Sequence, residues 1–313
     1  MSVATRLPPS VHVFVRDWLS ANHVLLRSRE DGHVLVDTGY GAHASLTLAL
    51  VDGPRGLAGE PLAKIVNTHG HSDHVGGNAV LAAHYGCPIA VPAAEAPHFE
   101  AWDEKTLLYG YADQEVARFR VDERIEAGST HVWGGLAWRA LAAPGHDMGA
   151  LVFHNPEHRV LISGDALWQR GFGFVMPRAM DPRAIPATRA TLDLIASLDL
   201  RMVIPGHGEP FDDVEGALAF AYGRLASLES DDLKIARYAV KAIFGFSLLH
   251  RRRMRSDDVV PFVERVPFFR DVNSAVLRMA PEGLAAMIVD ELLRAGAIRR
   301  EGDELVSAAG EAG

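Results

Sequence analysis

Cysteine is nearly absent: Cys87 is the single one in 313 residues. That excludes an internal disulfide and suits a reducing compartment. Its setting, Tyr85-Gly86-Cys87-Pro88-Ile89, offers nothing that lowers a thiol pKa, so it reads as a small buried hydrophobe at the start of a strand. Long apolar runs are missing as well; no stretch approaches the roughly 20 residues that a membrane span needs. Met1 to Ser10 carries one Arg and two prolines and no apolar core of signal-peptide length. The expectation is a cytoplasmic protein with no membrane partner. Positive charge is in deficit: 31 Lys and Arg stand against 40 Asp and Glu, a formal net charge of −9. Bulk attraction to nucleic acid or anionic lipid is disfavoured by that balance. No Gly-x-Gly-x-x-Gly turn and no phosphate loop occurs, which removes the support for a doubly wound nucleotide fold.

What remains is the composition of a globular enzyme, 48% hydrophobic and 23% charged. Strand patterns run over Val11–Val15, Asn22–Arg27, His33–Val36, Ala63–Val66 and Pro88–Val91, then Glu123–Ile125, Leu136–Leu141, Ala150–His154, Arg159–Ser163 and Met202–Ile204. Ala42–Leu50, Ala79–Tyr85 and Ile185–Leu198 have helical spacing. Residues 97–119, which mix aromatics with charge, read as a mostly helical insertion or lid. Two strand-rich stretches, each followed by helices, predict an α/β fold of two sheets packed face to face between helical layers, a four-layer αββα arrangement. From about Glu215 the strands vanish and helical spacing takes over, with Pro281 placed for a first helical turn. Ala297–Ser307 then reads as a hairpin around Gly302-Asp303. Helices closed by a hairpin resemble a winged-helix unit. The expected division is a catalytic domain over 1–229 and a helical extension over 230–313.

The most informative segment is Thr68-His69-Gly70-His71-Ser72-Asp73-His74, which follows the apolar pair Ile65-Val66. It crowds His69, His71, Asp73 and His74 at a strand end, and imidazole and carboxylate are the donors that Zn²⁺ and similar divalent ions take. Three more candidates sit at abrupt breaks after apolar strands: His146 in Ala143-Pro144-Gly145-His146, Asp165 in Ser163-Gly164-Asp165, and His207 in Pro205-Gly206-His207-Gly208. The shared grammar is strand, glycine, ligand. Glycine permits the sharp turn that aims the side chain back at a centre.

In these motifs, together with Asp37 at the end of an earlier strand, the chain resembles the metallo-β-lactamase superfamily. The resemblance spans roughly the first two thirds of the sequence. It implies an αββα metallo-β-lactamase sandwich carrying a two-metal hydrolase site. His69, His71 and His146 would hold one ion, Asp73, His74 and His207 the other, and Asp165 would bridge them. Asp37 would orient the cluster without binding metal. The implied cofactors are two divalent ions, Zn²⁺ first, with Fe or Mn as alternatives. Such a pair makes a bridging hydroxide available at neutral pH, and Asp73 would double as the proton carrier.

Substrate class is less specified. The segment after Asp165 is aromatic and punctuated by glycine, so Trp168, Phe172 and Phe174 are the expected pocket wall, with Trp18 and Tyr40 on the rim. Acidic charge and this apolar loop favour a small acyl substrate, an ester, thioester or lactone. True β-lactam hydrolysis is a weaker expectation, and the tail shows no match to a glutathione-binding one. The alternative is a nucleic-acid phosphodiesterase, motivated by the winged-helix-like tail and by Arg251-Arg252-Arg253-Met254-Arg255. A third, non-enzymatic reading is a metal-binding regulator with the tail as a DNA- or partner-binding module. Its phenylalanines would also serve a homodimer.

Overall fold

The computed structural model of the chain describes residues 7–308. The reading of Met1–Ser10 therefore falls partly outside the described residues. Strands β1 (Val11–Phe14), β2 (His23–Leu26), β3 (His33–Val36), β4 (Leu62–Val66), β5 (Ile89–Pro92) and β6 (Glu123–Ile125) lie side by side in that order. The first two pairings are antiparallel and the last three parallel. A second sheet holds β7 (Thr130–Trp133), β8 (Leu136–Ala142), β9 (Leu151–Asn155), β10 (Val160–Gly164) and β11 (Met202–Pro205), with only β10 and β11 parallel.

Parallel neighbours need a crossover long enough to hold a helix. Helix α1 (Ala44–Asp52) carries the chain from β3 to β4. The single-turn α2 (Ser72–Val75) and then α3 (Asn78–Tyr85) carry it from β4 to β5, and α4 (Ala96–Ala101) follows β5. Helix α5 (Ala184–Ser197) joins β10 to β11, and α6 (Val214–Glu229) packs beside it.

Three cores define the layers. Between the sheets, Val24, Val36, Val66, Trp138, Phe153, Ile162 and Ile204 interleave. Behind the first sheet, Leu25, Leu35 and Ile65 meet Val51, Leu81 and Phe99 from its helices. Behind the second, Val152, Leu161 and Val203 meet Ile185, Leu192, Ile195 and Leu225. Strands β2, β3, β9, β10 and β11 are buried along their whole length, as strands covered on both faces must be. The sandwich is therefore αββα. Cys87 lies in the core behind the first sheet, where burial pushes its thiol up to about 11.

Beyond the sandwich, Asp231 caps α7 (Asp232–Arg251) by accepting the Leu233 and Lys234 amides. Strand β12 (Arg253–Arg255), helices α8 (Val259–Arg265), α9 (Pro267–Val272) and α10 (Pro281–Arg294), and the hairpin β13 (Ile298–Glu301) and β14 (Glu304–Ser307) follow. β12 pairs with β14, making a small antiparallel sheet. The extension has its own core, in which Phe244, Phe262, Phe268, Phe269 and Ile288 are fully buried.

One expectation needs correction, and one strand had no counterpart among the expected ones. Residues 97–119 are not a helical lid: beyond α4 they hold only a 3-10 turn at Gly110–Ala112. Leu107, Leu108, Tyr109, Tyr111 and Ala112 are buried, because this stretch fills the gap between sandwich and extension. Tyr109 hydrogen-bonds the Gly70 carbonyl at 2.8 Å, and Leu108, Tyr111 and Ala112 pack into the extension's core. Strand β7, unread from sequence, is an edge strand in which only Trp133 is buried, so it carries little periodic signal.

Candidate metal centre

Every residue expected at the centre follows the end of a strand, and all lie at one rim of the sandwich. His69 to His74 follow β4, His146 follows β8, Asp165 follows β10 and His207 follows β11. The close approach explains one of the glycines. A Cβ on Gly206 would sit 2.2 Å from Asp165 Oδ1 and 3.0 Å from the His74 ring, so the residue before His207 must lack a side chain.

Two groups of donors form. In the first, His69 Nε2 and His146 Nε2 stand 3.1 and 2.7 Å from His71 Nδ1. In the second, Asp73, His74, Asp165 and His207 present ligand atoms within 4.8 Å of one another. His207 Nε2 is 3.0 Å from Asp73 Oδ2, and His74 Nε2 is 3.4 Å from Asp165 Oδ1. The other oxygen of Asp165, Oδ2, lies 3.4 Å from His146 Nε2, so this one carboxylate faces both groups.

The surrounding hydrogen bonds set which nitrogen is free. Asp37, at the end of β3 with φ 59°, accepts from the Thr68 amide and hydroxyl at 2.8 Å each. It also receives His74 Nδ1–H at 2.7 Å, which leaves His74 Nε2 as a lone pair pointing into the centre. That nitrogen is buried with no hydrogen-bond partner among the described residues, as a ligand atom would be without its ion. His146 Nδ1 donates to the Phe174 carbonyl at 2.6 Å, turning its Nε2 inward in the same way. Trp168 Nε1–H donates to Asp165 Oδ1 at 3.1 Å.

The electrostatics agree with a cation site. Burial and the neighbouring imidazoles push His69 far down and His71 to about 4, so both stay neutral and ligand-ready. Burial would also push His74 down, but the carboxylates Asp37, Asp73 and Asp165 reverse it. Burial would raise Asp165, and His207, His74 and His146 instead hold it well below the usual carboxylate range. Three carboxylates converge on a buried spot that draws positive charge. By donor chemistry and by the orphaned His74 nitrogen, these residues fit divalent metal ions.

A cavity of about 540 Å³ opens onto the centre. His71, Asp73, His146, Asp165 and His207 form its floor. Trp18 stacks on the His207 ring at 5.4 Å and Trp168 meets the same ring edge-on. Phe174 lies parallel to His71 at 6.0 Å. Trp168, Phe174 and Trp18 thus line the cavity. Phe172 does not: it is buried behind the second sheet, under the Arg224 guanidinium. Tyr40 is buried too, against Phe246 and His250, and forms no rim.

Sequence reasoning missed the opposite wall. Tyr238, Lys241, Ala242, Gly245, Phe246 and Leu249 of α7 line the cavity, with Gln114 from the stretch before β6. It also missed Glu95, buried near Asp147, whose carboxyl is pushed well up by burial and by the Asp147 charge. Asp147 in turn sits 3.9 Å from His71 Nε2.

An αββα sandwich with this rim of imidazoles and carboxylates defines a metal-binding protein of one widespread architecture. Residues 16–207, more than half of the chain, match the metallo-beta-lactamase superfamily, and the chain belongs to it. A hydroxyacylglutathione hydrolase from Hyphomonas neptunium is 31% identical over 120 residues, which are 38% of this chain and 40% of that protein. The chain thus matches less than two thirds of that curated relative's length. A beta-lactamase domain protein from Burkholderia ambifaria shares the fold over 96% of this chain and 93% of its own, with TM-score 0.59 and 24% identity. TTHA1623, solved in a di-iron-bound form, is 26% identical over 67% of this chain and 96% of its own, with TM-score 0.50.

Proposed function

We propose that the chain is a metal-dependent hydrolase that cleaves a small acyl substrate, an ester, thioester or lactone. The observation that carries this reading is Asp165, whose two oxygens face separate groups of buried donors at the floor of a cavity with apolar walls. The hydroxyacylglutathione hydrolase relatives support acyl chemistry. His69, His71 and His146 would hold one divalent ion and Asp73, His74 and His207 a second, with Asp165 between them. Zn²⁺ suits this donor set, and the di-iron form of TTHA1623 supports iron as the alternative. When bound, such a pair supplies a nucleophile at neutral pH and Lewis acidity for the acyl oxygen.

The chain's own residues do the rest. Asp73 lines the cavity beside His207, which supports a role in taking up a proton released during attack and passing it to the leaving group. Trp18 and Trp168 lie against the His207 ring and shield that side of the floor. Asp37 and the Phe174 carbonyl keep His74 and His146 in the ligand tautomer.

Residues 1–229 would form the catalytic domain, and the Asp231 cap that starts α7 supports a boundary there. The order helix, short strand, helices and hairpin, with β12 on the edge of the hairpin, supports a winged-helix-like extension. Phosphodiester cleavage with that extension on nucleic acid is the second reading. It is weakened because Arg251 pairs with Asp113, Arg253 with Glu301 and Glu304, and Arg255 with Asp303. A homodimer through the extension draws little support from its phenylalanines, since its own core takes up Phe244, Phe262, Phe268 and Phe269. No helix among the described residues is long and apolar enough to cross a membrane. The lone, buried Cys87 supports a cytoplasmic site of action.

The test is turnover of aryl esters, thioesters, lactones and a phosphodiester by metal-loaded protein. Acyl turnover is expected, abolished by chelator and cut more than about a hundredfold by Asp165→Ala, beyond the ~10–100-fold typical of a residue one step removed from the metal. Cleavage of the phosphodiester alone would overturn the reading.

A further inference from the structure

Helix α7 carries two apolar faces. Ile235, Ala236, Ala239, Val240, Ile243, Phe244 and Leu248 are buried in the cores of the sandwich and the extension, as a docked helix requires. Tyr238, Lys241, Ala242, Gly245, Phe246 and Leu249 are each only half-buried. These six follow the spacing i, i+3, i+4, i+7, i+8, i+11, which is one continuous stripe on a helix. All six line the cavity over the metal centre. From Tyr238 to Leu249 the stripe is about 16 Å long.

The stripe has little polarity to offer a ligand. Its one cation, Lys241, is paired with Glu291 at 2.8 Å, and Arg237 pairs with the same carboxylate. A dicarboxylate peptide such as glutathione would find a single cation on this stripe, one already held by a carboxylate, against five residues without charge. An extended hydrocarbon would bury its surface against Ala242, Phe246 and Leu249 without stranding a polar group. Gly245 is the narrow residue of the wall: a Cβ built there meets nothing within 4 Å, so the space in front of it is open. Glycine inside a helix is disfavoured relative to alanine, which makes its presence at the cavity face the more informative.

We propose that the α7 stripe is the acyl-chain site, that it selects an extended apolar acyl group over a glutathione-type polar one, and that Gly245 sets the chain length admitted. This rests on the acyl-hydrolase reading for its chemistry but not for its test. Asp73 and Asp165 line the same cavity as the stripe, so a substrate whose carbonyl sits at the floor can lay its tail in the open space at Gly245.

The test is binding of straight-chain primary alcohols of increasing length to the full chain, read by tryptophan fluorescence of Trp18 and Trp168 in the cavity wall. Alcohols are not hydrolysed, so the result does not depend on turnover. Affinity is expected to rise about fourfold per methylene, the equivalent of about 0.8 kcal/mol, until the stripe is filled. Gly245→Leu should abolish that rise for long alcohols and leave the shortest unchanged. Leucine favours a helix over glycine, so this variant is expected to fold; Ala242→Leu, on the same stripe, is the second variant and should also cut the rise short. A flat series, or a rising one that both variants leave untouched, overturns the inference while acyl hydrolysis still stands. Chain-length selection without any acyl turnover leaves an apolar-chain site along α7 in place and removes the hydrolase reading instead.

Discussion

The floor and the wall of the same cavity are built by opposite means. The floor and the donors beneath it gather side chains from the ends of four strands, and three of them are fixed by a hydrogen bond: Asp37 holds His74, the Phe174 carbonyl holds His146, and Trp168 holds Asp165. The wall opposite the aromatic loop is largely one face of one helix, α7, held by packing of its other face into two cores. Precision at the floor comes from hydrogen bonds that set a tautomer. At the wall it comes from volume alone. A centre that must present lone pairs tolerates few residue types, whereas a wall that must only exclude water tolerates many of the right size. On the proposed reading, chemistry and substrate choice would fall in parts of the chain that can change independently.

The two regions meet at the loop after Asp165. Phe174 gives its carbonyl to His146, lays its ring beside His71, and packs by its edge against Phe268 of the extension. The strongest challenge to independence is therefore Phe268→Ala. Phe268 is fully buried in the extension's core, so truncation is expected to cost about 3–5 kcal/mol, read by denaturant unfolding. If floor and wall are separable, the folded variant keeps its metal affinity and loses chain-length selection. A drop in metal affinity as large as the loss of selection would show that Phe174 transmits the extension's packing to the ligands, and the comparison would break.

A smaller effect sharpens the floor side. Asp37→Asn keeps the shape but places an amide where an acceptor is needed, opposite His74 Nδ1. The imidazole would then keep its proton on Nε2, the nitrogen meant for metal. Metal affinity at the Asp73, His74 and His207 group is expected to fall about 10–100-fold in a metal titration. Alcohol binding along α7 should not change. An unchanged metal affinity would mean that the tautomer is fixed by something other than Asp37.

The same contrast explains what was legible in the sequence. The donors stand in short segments whose spacing is itself the signal, and the structure gathers the seven into two neighbouring groups. The layers were legible because β2, β3, β9 and β10 are apolar on both faces, between turn residues. The wall was not, because a helix with two apolar stripes reads as an ordinary core helix until its neighbours are known. The signal was present in the small residues Ala242 and Gly245, set among Tyr238, Phe246 and Leu249 at helical spacing. Phe172 misled for the complementary reason. It shares the aromatic loop with Trp168 and Phe174, but the backbone between them turns it into the core behind the second sheet. Alternation along a loop carries no face, as it does along a strand.

The smallest expected effect bears on how the wall is kept over the floor. Arg251, at the end of α7, makes a forked pair with Asp113, its Nε and Nη2 at 3.0 and 2.6 Å from the two carboxylate oxygens. Asp113 belongs to the stretch that fills the gap between sandwich and extension, beside Gln114 of the cavity. The arginine is partly exposed and the aspartate largely covered, at 38% and 13%, so solvent screens the pair and its worth is at most about 1 kcal/mol. Arg251→Ala should therefore shift the unfolding midpoint only slightly and leave metal binding untouched. Its informative readout is alcohol binding at low and high salt. If the fork holds α7 at its distance from the floor, the wild type loses part of its chain-length selection as salt rises and the variant does not respond. If the distance is set by apolar packing, as the two cores around α7 argue, neither protein responds, and the wall is as rigid as the helix that carries it.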